Sequence, residues 1–106
     1  MFTFEIQELL QEYQDEPKPY YEFLRVPAMS IGIYKLKAGS QDPQNPHDED
    51  EVYHVLSGQA MITVGEKERP VGAGSIVYVA AKEPHKFHSI TEDLTVLVFF
   101  APAESH

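Results

Sequence analysis

An all-β sandwich or barrel with one short N-terminal helix is the fold this chain predicts. Three observations point to it. From Tyr20 onward, short runs rich in Val, Ile, Tyr and Phe alternate with turn signals built on Gly, Pro, Asp and Ser. Helical periodicity shows in one stretch near the N-terminus. A length of 106 residues, 42% of them apolar, supports one core and not two.

The helix candidate is Thr3 to Gln14. Ile6, Leu9, Leu10 and Tyr13 recur at helical spacing, and Glu5, Gln7, Glu8, Gln11 and Glu12 take the other face. Thr3 can cap its start, and Pro17 and Pro19 end it. Residues 1–19 are thus expected as a helix and linker packed outside the barrel, with residues 20–106 as the barrel itself, one domain overall. Tyr20 to Val26 is the first strand. Met29 to Lys37 is the second, with Tyr34 and Leu36 on one face and Met29, Ile31 and Ile33 on the other. Gly39 to Pro46, broken by Pro43 and Pro46, is loop or edge strand. Glu51–Leu56 and Ala60–Val64 are expected to pair around Ser57-Gly58. Glu68–Val71 follows, then an apolar, buried Ile76–Val79. His85–Ile90 and Leu94–Ala101 are expected as two strands split by a turn at Thr91-Glu92-Asp93. The last few residues are expected to fray.

Composition narrows the function. The formal net charge of -9 argues against nucleic acid and anionic membranes as partners. The opening residues lack a basic segment followed by an apolar stretch, so no signal peptide is expected, and no apolar run is long enough to span a bilayer. The absence of cysteine excludes disulfides and thiolate chemistry and fits a cytoplasmic protein. Metal ligands must therefore come from five histidines, the carboxylates and side-chain amides.

The stretch Pro46–Gly58 organises the rest. On one extended strand His47 and Glu51 would stand roughly 13 Å apart. If Asp48-Glu49-Asp50 forms a three-residue hairpin loop, they face each other at about 5 Å. An imidazole and a carboxylate at that distance can share a divalent ion. His85 begins a later strand and shares a face with Phe87. If that face points inward with Glu51, two histidines and one carboxylate converge and leave open positions on the ion. By the same parity His54 and His88 point to the outer face, and Asp48, Glu49 and Asp50 form a solvated loop. Tyr53 shares the face of Glu51 and offers the nearest hydroxyl, as an acid or hydrogen-bond donor. Phe99 and Phe100 point to opposite faces, so one of them is external.

These residues resemble the cupin family. The spacing Gly39, His47, Glu51, Gly58 is similar to the first cupin motif, and Gly74 with His85 to the second. The resemblance covers about Met29 to Ala101. It implies a jelly-roll barrel holding a mononuclear divalent metal (Fe, Mn, Ni or Zn) through His47, Glu51 and His85. The family's first histidine falls at Asn45, whose amide oxygen shares the face of His47 and could serve in its place. Gln44 is turned away by parity. Ala80 and Lys82 replace the Pro and Gly of the second motif. Small cupins of this kind pair as homodimers. Two functions follow: an enzyme, oxidoreductase (dioxygenase-like) or isomerase, acting on a small oxygenated metabolite; or a non-catalytic small-molecule binding or sensor module with weak metal or none.

Overall fold

The computed structural model describes residues 1–105. One helix, α1 (Ile6–Glu12), precedes six strands: β1 (Tyr20–Val26), β2 (Met29–Leu36), β3 (Asp50–Val64), β4 (Lys67–Gly72), β5 (Ile76–Val79) and β6 (His85–Ala101). All pairings are antiparallel. The architecture is the expected all-β jelly roll.

Two long strands make the barrel. The first half of β3 pairs with β5 and with the second half of β6, which in turn pairs with β2. The second half of β3 pairs with β4 and with the first half of β6. Register breaks between Val55 and Met61 mark where both strands bend from one sheet into the other. Inward side chains from both sheets, among them Tyr34, Val55, Ile62, Phe87, Leu94 and Val96, fill one core.

The structure departs from the expected strand boundaries in several places. Ser57-Gly58 does not turn the chain, because β3 runs through it unbroken. Gly58, at φ +99, sits at the bend, where the backbone of β6 passes close by. A glycine inside a strand marks a bulge or close backbone approach as readily as a turn. Thr91-Glu92-Asp93 likewise does not split β6. Those three residues are exposed and need no positive φ, so the strand continues through its corner. β5 is not fully buried: Ile76 and Tyr78 are 69% and 60% exposed, and Val79 alone is buried. An edge strand with one face inward can carry apolar residues on both.

The helix is shorter than its periodicity suggested. Thr3 does not cap it; Glu5 occupies that position and makes no side-chain cap bond. Leu9 is its buried residue, and Tyr13 at its end stacks on Tyr21 of β1 at 4.9 Å. Lys35 donates from Nζ to the Tyr13 carbonyl. No helix among the described residues is long and apolar enough to cross a membrane.

The segment before β3 also differs. Residues 37–47 form no strand, so no hairpin carries His47 and Glu51. An irregular loop delivers His47, anchored where its carbonyl accepts from Lys82 N at 2.6 Å. Within the acidic run, Glu49 is only 5% exposed and not solvated. Its Oε2 accepts from both the backbone and the hydroxyl of Ser105. Residues 103–105 do not fray, because they lie across Pro27, the start of β2 and Glu49 before β3; the expectation for His106 falls outside the described residues. Ala103 N bonds Pro27 O, and Glu104 N bonds Ser30 Oγ at 2.9 Å.

Candidate metal centre

Strand parity explains two of the site residues. Glu51, Tyr53 and Val55 alternate inward along β3, and His85 and Phe87 inward along β6. Glu51 is 2% exposed, and its Oε1 lies 3.1 Å from His85 Nε2. His47 arrives from the loop, its ring 5.3 Å from that of His85. One ligand-type atom from each of His47, Glu51 and His85 lies within 4.8 Å of the others.

The amide expected beside them is a different one. Asn45 is exposed, and Gln44 is turned in. Parity failed because it applies to strands and this segment is not one. Gln44 Oε1 lies 3.2 Å from His47 Nε2 and 3.3 Å from His85 Nε2, and it accepts the Tyr53 hydroxyl at 2.9 Å. Its Nε2 donates to Asp42 Oδ2 at 2.7 Å, which fixes the amide orientation. Asp42, itself buried, also accepts from the Tyr34 hydroxyl and from Phe87 N. Sequence reasoning missed Asp42 and Gln44. The one available signal was two polar side chains flanking Pro43 beside an inferred barrel mouth.

Glu104 was missed as well. It comes from the C-terminal segment, and its Oε2 lies 3.2 Å from His47 Nδ1. The Glu83 carbonyl lies 2.9 Å from His85 Nδ1. A carbonyl can only accept, so His85 carries a proton on Nδ1. The Glu104 carboxylate favours the same tautomer for His47. In the neutral form each ring therefore turns its Nε2 lone pair inward, that of His85 toward Glu51 Oε1 and Gln44 Oε1 and that of His47 toward Gln44 Oε1.

Around Glu51 that arrangement sets acceptor against acceptor; the one donor nearby, the Tyr53 hydroxyl, is directed to Gln44 Oε1. With neutral imidazoles, neither Glu51 oxygen receives a hydrogen bond among the described residues. Buried acceptors facing one another are costly unless a positive charge lies between them. A proton on His85 supplies one, and a divalent cation supplies more. Burial lowers the pKa of His85, but hydrogen bonds to Glu51 and Glu83 and the charges of Glu51 and Asp42 outweigh it, leaving the pKa raised. Tyr53 is pushed far the other way from acidity. Burial first and then the charge of Glu51 raise its pKa well above the usual tyrosine value, against the pull of Gln44.

The raised His85 pKa has a sign that can be checked. A folded pKa above the unfolded one adds stability that is complete below the unfolded value and disappears as pH rises through the folded one. Chelator-treated protein should therefore show a urea midpoint that falls as pH rises past the ordinary histidine value of 6.5. Glu51→Gln should flatten that slope. A midpoint rising with pH in wild type, with the slope unchanged in the variant, would contradict the pairing.

The sequence matches the cupin domain profile over residues 32–100. The chain belongs to the cupin family. An uncharacterised protein of Streptomyces coelicolor is 51% identical to this cupin over 105 residues, covering 99% of this chain and 100% of its own. Among solved structures, TT1209 from Thermus thermophilus superposes with a TM-score of 0.74 at 24% identity, over 96% of this chain and 99% of that one. KdgF from Halomonas superposes with a TM-score of 0.73 at 16% identity, over 83% and 84%. At these identities the structural likenesses establish the jelly-roll fold. His54 is half-buried at a β3 position whose parity is outward. His88 lies outside the cluster, with Nε2 2.6 Å from Glu68 Oε1 and 3.0 Å from Thr63 Oγ1.

Proposed function

We propose that this cupin holds one divalent metal ion between His47, Glu51 and His85 and acts with it on a small oxygenated molecule. The convergence of inward-facing acceptors around buried Glu51 carries this reading. A mixed nitrogen and oxygen set suits Fe, Mn, Ni or Zn. Bound there, the ion would supply Lewis-acid or redox chemistry of the oxidoreductase (dioxygenase-like) or isomerase kind. Gln44 takes the part expected of Asn45, as a neutral oxygen beside the two imidazoles. Glu104 and the Glu83 carbonyl orient those imidazoles. Tyr53 holds Gln44 in place and keeps its proton. The ligand chamber is a cavity of about 140 Å³ lined by Tyr20, Tyr34, Val98 and Phe100 beside His47 and Glu51.

The protein is also proposed to be a cytoplasmic homodimer. Ile31, Phe99, Val52 and Tyr78 stand in one row across the outer face of the sheet, and none is charged. Chains carrying -9 each repel one another except across such a face.

Protein purified without added metal should contain close to one transition-metal ion per chain by elemental analysis. The same preparation should sediment at twice the 12.0 kDa of one chain. If no ion binds Fe, Mn, Ni or Zn-treated protein at micromolar concentration, the metal reading fails. Stoichiometric metal with no turnover of oxygenated substrates would favour a sensor, a reading consistent with the tight mutual hydrogen bonding of Gln44, Tyr53 and Asp42.

A further inference from the structure

One buried polar group among the residues lining this chamber is neither a candidate ligand nor a hydrogen-bond partner of one. The Tyr20 hydroxyl is shielded from solvent and meets no hydrogen-bond partner among the described residues. Its ring stands edge-on to Tyr34 and Phe100, and all three line the chamber. The chain makes room for it: a Cβ on Gly32 would meet Tyr20 Cζ, Cε1 and the hydroxyl at 2.3–2.4 Å. Gly32 is thus the position on β2 that lets the phenol lie over the strand. A buried hydroxyl without a partner costs stability. A cost of that kind held at a cavity wall is what a ligand-binding donor looks like before its ligand arrives.

We infer that Tyr20 is a specificity residue, donating its hydroxyl to the oxygen of a small neutral carbonyl compound held in the chamber. The inference rests on the reading of this cavity as the ligand chamber, not on the ion. Volume sets the size of the ligand. About 140 Å³ matches a cavity that holds a benzene-sized molecule. Charge sets its class. Glu51 and Glu104 both line the chamber, so an anionic ligand would meet two carboxylates there. The walls from Val98 and Phe100 favour an apolar body. Burial, then the charges of Glu104, Glu22 and Glu51, hold the Tyr20 pKa far above its ordinary value against Arg25. The hydroxyl therefore remains a donor and does not serve as a base.

The test uses a matched pair of probes, cyclohexanone and methylenecyclohexane, which share shape and differ in the acceptor. Both are titrated into wild type and Tyr20→Phe, in chelator, so that absence of a metal site leaves the result readable. Cyclohexanone should bind wild type about two- to tenfold tighter than the variant, the range of one neutral hydrogen bond. Methylenecyclohexane should bind the two equally. The carbonyl stretch of bound cyclohexanone should lie at lower frequency in wild type. Tyr20→Phe should unfold at the same or a higher temperature, because it removes an unsatisfied group. Gly32→Ala, which displaces the ring, should lose the same preference for cyclohexanone. Equal cyclohexanone affinities overturn the inference, as does no saturable binding to wild type up to about 10 mM. A lower unfolding temperature for Tyr20→Phe also overturns it, because it would show that the hydroxyl is already paired in the fold.

Discussion

Replacing His85 with alanine should cost the protein about a hundredfold or more in affinity for a divalent ion while leaving it folded. The size follows from sharing. Apparent binding energies of roughly 10–16 kcal/mol for four-ligand zinc sites come to about 3 kcal/mol per ligand, or two orders of magnitude. His47→Ala should cost a similar amount. Gln44→Ala removes a neutral oxygen and Glu104→Gln removes a charge that only orients His47, so each should cost about tenfold. His88→Ala, outside the cluster, should cost nothing. The order of these losses carries the information. In chelator, His85→Ala should also lose the pH slope of stability, since the imidazole that gains a proton beside Glu51 is gone. Calorimetric titration of one metal across the five variants reads the whole series. Equal affinities for wild type and His85→Ala would remove the site, and a loss in His88→Ala would move it.

The three candidate ligands, His47, Glu51 and His85, were legible in the sequence, and the reason is local. Glu51 and His85 lie on strands, where period-two alternation assigns a face as soon as one neighbour is known to be inward. Tyr53 and Phe87 supplied those neighbours. His47 came from its spacing to Glu51, although the hairpin invoked to bring them together does not form. The supporting residues were not legible. Gln44 and Asp42 sit on an irregular loop, where parity says nothing. Their inward turn is decided by contacts to Phe87, His85 and Tyr34, each on a strand of the folded barrel. Glu104 is positioned by Ser30, from the opposite end of the chain. The same limit applies to the fold. Strand identities followed from local pattern, but the continuity of β3 and β6 depends on each bending around the other.

The second large effect tests that bend. Gly58→Ala should destabilise the protein by more than about 3 kcal/mol, out of the roughly 5–15 kcal/mol that holds a typical domain together. Two costs combine. At φ +99 an alanine is strained in itself. Its Cβ would also stand 2.3 Å from the Asp93 carbonyl oxygen and 2.7 Å from Leu94 Cα, both backbone atoms that no rotamer change can move. Relief requires shifting β6 at Leu94, which is fully packed in the core. Gly39→Ala separates the two costs, because Gly39 has φ +79 and nothing within 4 Å of a Cβ. It should lose only about 1 kcal/mol. Urea midpoints for both variants, measured in chelator, give the difference directly, and equal losses would mean that no close crossing exists at Gly58. The consequence reaches the metal centre. The bend at Gly58 sets the path of the first half of β3, and that path aims Glu51 at His85 across the barrel. Where Gly58→Ala still folds, its metal affinity should fall although every candidate ligand is intact, whereas Gly39→Ala should bind as wild type does.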